Sequence, residues 1–165
     1  MSGAVCLAGE AALRSGAGLV TVATRSVHAA AISSARPELM CYGVENTADI
    51  DYVLEGKNCI VIGPGLGTGD WGRMLLSRVL ASGLNVVLDA DGLNLIADSR
   101  SSVPQGILTP HPGEAGRLLG CETLAIQAQR HLSARRIQEL YKGTCVLKGP
   151  GTLVAGEGGL SLIHI

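Results

Sequence analysis

Four stretches of this 165-residue chain place chemically capable residues where an apolar run stops. Pro110-His111-Pro112-Gly113 follows Ile107-Leu108-Thr109, with Glu114 three residues beyond His111. Two prolines stiffen that loop and fix where the imidazole points, which suits a ligand contact. Glu114 falls on the first turn of a helix, where a carboxylate favours the dipole, so a local helix-start role and a role beside a ligand stand level. Asp89-Ala90-Asp91 follows Asn85-Val86-Val87-Leu88. Carboxylates at that spacing suit a magnesium-phosphate or hydroxyl contact. The alternative is local: Asp91 caps the next helix and Asp89 holds a neighbouring loop. Gly63-Pro64-Gly65-Leu66-Gly67-Thr68-Gly69 follows Cys59-Ile60-Val61-Ile62. Its amides suit an anion, and it also reads as a plain tight loop. It is neither a dinucleotide fingerprint nor a Walker A loop. Lys148-Gly149-Pro150-Gly151-Thr152 follows Cys145-Val146-Leu147. Lys148 there can meet a phosphate as a point charge, on a backbone that also reads as a hairpin turn. Together the four stretches point to a phosphate-bearing or nucleotide-like ligand.

The elements that must position them alternate. Helices are expected at about 4–15, 27–35, 47–55 with Asn46 as cap, from an Asp70 cap through Leu75, 93–97, 113–119 and 123–141. Strands are expected at 19–24, 38–42, 59–62, 85–88, 107–109, 145–147 and 152–155. Several strands are continuous apolar runs, which implies burial on both faces of a parallel sheet. The fold class is therefore α/β, doubly wound, with ligands bound beyond the carboxyl ends of the strands.

Composition narrows the function classes. The chain is 47% hydrophobic and 16% charged, which suits one globular domain. A net charge of -1 and the absence of Phe argue against a nucleic-acid partner. No apolar run approaches the roughly 18 residues of a membrane span, and the amino terminus lacks a signal pattern, so a cytoplasmic, membrane-free protein is expected. Cys6, Cys41, Cys59, Cys121 and Cys145 form no C-x-x-C pair and read as ordinary reduced thiols.

The motifs GEAALRSGAGLVTVATR, RPELM, VIGPGLG, DADGLNLIA, ILTPHPGEAGRLLGC and VLKGPGTLVA resemble the ADP-dependent NAD(P)H-hydrate dehydratases of the ribokinase-like superfamily, in that family's order, from Gly3 to about Glu157. The resemblance implies a ribokinase-like, mostly parallel sheet with helices on both faces. It implies nicotinamide nucleotide repair: ADP (ATP in some relatives) phosphorylates the S epimer of NAD(P)H hydrate, phosphate leaves, and NADH or NADPH returns. It implies Mg²⁺, small nucleotide ligands, a homotetramer, and an NAD(P)H-hydrate epimerase fused or separate. Carried over by position, Ala4, Gly67 and His111 match hydrate-binding residues. Lys148, Gly149, Pro150, Gly151 and Thr152 match the adenine-nucleotide contact, and Glu114 resembles a metal- or phosphate-proximal carboxylate; the possible metal or phosphate role of Asp89 rests on its place after the strand.

The chain departs from that pattern at both ends. The family's first strand and glycine loop do not precede Gly3, and its GGMGD segment, which carries the catalytic aspartate, has no counterpart, so no catalytic residue is assigned. Residues 1–159 are expected to be a partial dehydratase domain that does not turn over by itself. Residues 160–165, His164 among them, are expected to be a non-native tail. Two other readings are a ribokinase-like kinase for a thiazole or hydroxymethylpyrimidine alcohol, and a non-catalytic nucleotide-binding module.

Overall fold

A computed structural model describes residues 2–163; His164 lies outside them. Near the amino end, α1 (Ser2–Arg14) and α2 (Ser26–Ala35) pack on a two-stranded parallel sheet, β1 (Val20–Thr24) and β2 (Leu39–Gly43). Val22, Ile32 and Leu39 form its core, flanked by Val5, Cys6, Leu13, Val20 and Cys41. Helix α3 (Thr47–Leu54) starts where expected. Asn46 Oδ1 accepts from the Ala48 and Asp49 N–H groups at 2.9 and 3.1 Å, and Asp49 Oδ2 accepts from the Asn46 N–H, a reciprocal cap.

The larger sheet has six strands in the order β3 (Cys59–Ile62), β4 (Asn85–Leu88), β5 (Gly106–Leu108), β6 (Thr144–Leu147), β7 (Thr152–Gly156) and β8 (Gly159–Ile163). From β3 to β6 every pairing is parallel, joined through α4 (Asp70–Ala81), α5 (Ala90–Ser99), α6 (Pro112–Leu119), α7 (Thr123–Ala128) and α8 (Arg130–Tyr141); β7 and β8 then return antiparallel. All four parallel strands thus end on one edge. Residues 160–163, expected as a tail, pair in register with β7, since an alternating apolar stretch satisfies the open edge of a hairpin.

The main core lies on one face of this sheet. Leu88, Leu108, Cys145, Leu147 and Leu153 are buried there with Leu93, Ile96, Ala115, Leu118, Ile137 and Tyr141 from the helices. The Tyr141 hydroxyl donates to the Leu118 carbonyl at 3.1 Å, and burial raises both that phenol and the Cys145 thiol, the latter to about 12. Cys145 is accordingly an inert packing group, and none of the five cysteines is in a disulfide. The continuous apolar runs imply closure of both faces. The ladder on the opposite face, Val61–Val87–Ile107 in register, is more open: Val61 is 52% and Ile107 40% exposed.

Two local expectations change. Asp70 is not the cap of α4: Gly69 holds that position without a side-chain bond, and Asp70 lies one residue inside, where its charge favours the dipole. The single helix expected over 123–141 is broken at Gln129 (φ −136°, ψ 51°) into α7 and α8. No described helix is long and apolar enough to cross a membrane.

Candidate functional site

The loops after β3, β4, β5 and β6 meet at the carboxyl edge of the sheet and are tied to one another by backbone bonds. The Asp89 N–H donates to the Ile62 carbonyl (3.1 Å), the Thr109 N–H and hydroxyl both to the Leu88 carbonyl (3.0 and 3.1 Å), and the Lys148 N–H to the Pro110 carbonyl (2.8 Å). The β3 and β4 loops approach so closely at Gly63 (φ 130°) that a Cβ there would stand 1.7 Å from the Asp89 carbonyl oxygen. Only glycine fits.

Side chains complete the closure. Lys148 Nζ lies 2.7 Å from Asp89 Oδ1 and 4.0 Å from Glu114 Oε2. Burial alone would push the Asp89 carboxyl up. The Lys148 ammonium, helped by the Thr109 hydroxyl and the Ala90 N–H, overrides it and holds the group below the usual carboxylate value. The roles expected of the two aspartates are exchanged. Asp89 occupies the cap position of α5 without a capping bond and faces Lys148, while Asp91 holds the neighbouring loop by accepting the Gly67 N–H at 2.8 Å. Next to Asp89, Ala90 adopts φ 47°, a left-handed conformation that costs an alanine on the order of 1 kcal/mol.

His111 is the cap of α6. Its Nδ1 accepts from the Gly113 and Glu114 N–H groups at 3.0 and 3.4 Å, and Glu114 Oε2 accepts from the His111 N–H at 2.8 Å. An accepting Nδ1 leaves the ring proton on Nε2, which lies 3.4 Å from Glu114 Oε1 on a side chain that is 52% exposed. The imidazole is thus held by one nitrogen and presents an N–H donor with the other. Glu114, only 6% exposed, has the local role foreseen for it and also stands beside Lys148.

Gly67, Asp89, His111, Glu114 and the 148–152 loop therefore share one rim. Ala4 lies on α1, which packs on β1 and α2 in the smaller cluster. Two further groups escaped the sequence reading. A chain of hydrogen bonds runs from Arg117 Nε to Asn94 Oδ1 (2.8 Å) and from Asn94 Nδ2 to Asp91 Oδ1 (3.4 Å), linking α6 through α5 to the Gly67 loop. Arg130 reaches from α8 to the carbonyls of Leu147, Lys148 and Gly151. Asn94 was detectable three residues beyond Asp91, one helical turn along; Arg130 had no local signal.

The rim can take an anion, through Lys148 and backbone N–H groups, and a hydrogen-bond acceptor at His111 Nε2. Among the described residues no group of three or more His, Cys, Asp or Glu side chains could hold a metal ion, and Asp89 and Glu114 share the Lys148 ammonium. That donor set suits a divalent ion carried largely by substrate phosphates and water, not one caged by protein.

A profile of the NAD(P)H-hydrate dehydratase family matches residues 1–164. The chain is 52% identical over 157 residues to the bifunctional NAD(P)H-hydrate repair enzyme Nnr of Coxiella burnetii, covering 95% of this chain and 32% of that one. It is 39% identical over 165 residues to the ADP-dependent (S)-NAD(P)H-hydrate dehydratase of Neisseria meningitidis serogroup B, covering 94% and 54%. The ADP/ATP-dependent NAD(P)H-hydrate dehydratase of Bacillus subtilis, co-crystallised with ATP/Mg²⁺ and soaked with CoA, superposes with a TM-score of 0.81 at 29% identity, over 98% of this chain and 60% of that one. The chain thus spans about a third of the bifunctional relative and little more than half of the shorter ones.

Proposed function

This chain belongs to the NAD(P)H-hydrate dehydratase family, and from that premise we propose that its rim serves the ADP-dependent dehydration of the S epimer of NAD(P)H hydrate. In that chemistry the terminal phosphoryl group of ADP passes to the hydrate hydroxyl oxygen, which gives up its proton, and AMP leaves as the P–O bond to it breaks. The C–O bond of the phosphorylated ring then breaks, with phosphate taking the electron pair. A proton leaves the neighbouring carbon and the ring double bond is restored. Phosphate departs where hydroxide would not.

The observation that supports the reading is Lys148, held between Asp89 and Glu114 and next to a glycine-rich turn, on the same edge as His111 and Gly67. In this reading Lys148 and the 149–152 backbone take the nucleotide; Asp89 and Glu114 are the residues that would face a Mg²⁺ ion carried by its phosphates, and that ion would neutralise phosphate charge. His111 Nε2 donates to the hydrate, and Gly67, with no side chain, lets the ring approach the loop; Ala4 is assigned to the hydrate as well. The reading also gives the protein an epimerase, fused as in the bifunctional relatives or separate, and a tetrameric assembly.

The test is binding on this chain and turnover at the full length of its relatives. Both ADP and (S)-NADH hydrate should bind. His111→Ala should weaken the hydrate about tenfold with ADP unchanged. Reduced nicotinamide should reappear only when ADP is supplied, with AMP and phosphate formed in equal amounts. Phosphorylation of a thiazole or hydroxymethylpyrimidine alcohol in place of the hydrate would assign the rim to a kinase, and nucleotide binding without either product to a non-catalytic module.

A further inference from the structure

Helix α8 begins with a cation in an unfavourable place. Arg130 is its first residue, where the partial positive charge of the helix terminus disfavours a guanidinium. The break at Gln129 turns the start of α8 so that this guanidinium meets the turn between β6 and β7. Arg130 Nη2 donates to the carbonyls of Leu147 (3.3 Å), Lys148 (3.5 Å) and Gly151 (3.2 Å), and Nη1 to the Lys148 carbonyl and Gln127 Oε1 (both 3.4 Å). The guanidinium also fills the space under Gly149 (φ 146°), where a Cβ would lie 2.8 Å from Nη1. All these partners are neutral oxygens, and among the described residues no carboxylate pairs with Arg130.

A trans peptide points its N–H opposite its C=O. With the Leu147 carbonyl on Arg130, the N–H of the same peptide points the other way and meets the Pro110 carbonyl at 2.8 Å. By the same rule the carbonyls of Lys148 and Gly151, both on Arg130, turn the N–H groups of Gly149 and Thr152 away from the guanidinium. Pro150, between them, carries no N–H. The planar fork thus sets the orientation of both ends of the turn at once and leaves a full positive charge beneath it.

We propose that Arg130 is a positioning residue for nucleotide binding: it holds the 148–152 turn with the Gly149 and Thr152 N–H groups directed away from the guanidinium and supplies, through the backbone, an uncompensated positive charge behind the phosphates. The proposal rests on the assignment of this turn to the nucleotide, and the experiment separates the two. ADP affinity and amide hydrogen exchange of the 147–153 segment are measured for wild type, Arg130→Ala, Arg130→Lys and Lys148→Ala, with thermal unfolding as a check on the fold. Arg130→Ala should weaken ADP about tenfold and speed exchange of the segment, with the core exchanging as in wild type. Arg130→Lys should restore little of either, because one ammonium cannot span three carbonyls. Wild-type exchange in Arg130→Ala, or full recovery by Arg130→Lys, overturns the proposal. Exchange that rises as expected while ADP binds all four proteins equally, or none, removes the nucleotide assignment and leaves Arg130 only as the turn's support. Unfolding of Arg130→Ala throughout the core would make the residue a global structural element and likewise overturn the proposal.

Discussion

Gly63→Ala should cost roughly 4 kcal/mol or more, enough to leave much of the chain unfolded. The new Cβ would meet the Asp89 carbonyl oxygen at 1.7 Å and the Gly92 nitrogen at 2.8 Å, in a backbone conformation (φ 130°) that alanine avoids. Neither side can retreat cheaply. The Asp89 N–H is bonded to the Ile62 carbonyl at 3.1 Å, and the Gly92 N–H to the Asp89 carbonyl at 3.0 Å, so separating the loops breaks the join between β3 and β4. Gly18→Ala, with nothing within 4 Å of its Cβ, should stay within about 1 kcal/mol of wild type and serves as control. Urea unfolding decides it: a Gly63→Ala protein as stable as the control would mean the loops slide apart freely and the rim is not a fixed structure.

Lys148→Met should abolish measurable nucleotide binding and make stability respond to acid in a new way. Without the ammonium, Asp89 and the buried Glu114 face each other uncompensated. Both partners of the ion pair are partly exposed, so the pair itself contributes only about 1 kcal/mol, with a further cost for the uncompensated carboxylates. In the wild type the Asp89 carboxyl is lowered, so its contribution is present above the unfolded carboxylate pKa of about 3.9 and is lost as pH falls through the still lower folded value. The stability gap between wild type and Lys148→Met should therefore be largest near neutrality and narrow below about pH 4. Chemical denaturation at several pH values measures it. A gap constant across pH would mean that Lys148 acts through packing of its stem, not through its charge.

Much of the molecule was legible because its signals are local. Strands 59–62 and 85–88 stop at the expected residues, since each apolar run is closed by glycine or aspartate. Asn46 announced α3 by the capping bond that it makes. The rim followed from one topological rule: neighbouring parallel strands must end on the same edge, which brings Gly67, Asp89, His111 and Lys148 together across 81 positions of sequence. What escaped was set by partners distant in the chain. The break at Gln129 follows from carbonyls 17 to 21 residues downstream of Arg130, which no helical periodicity reports. The exchange of roles between Asp89 and Asp91 was equally hidden. Either carboxylate could cap α5, and only the positions of Lys148 and the Gly67 N–H decide which one faces where.

The ammonium of Lys148 has one further implication, because its single charge is already shared between Asp89 and Glu114. A phosphate that draws it off Asp89 trades one ion pair for another and leaves Asp89 a free carboxylate at the mouth of the site. On the proposed assignment, phosphate entry at this rim would be a swap of counter-ions, in which the arriving anion unmasks an acid that the ion pair with Lys148 keeps covered.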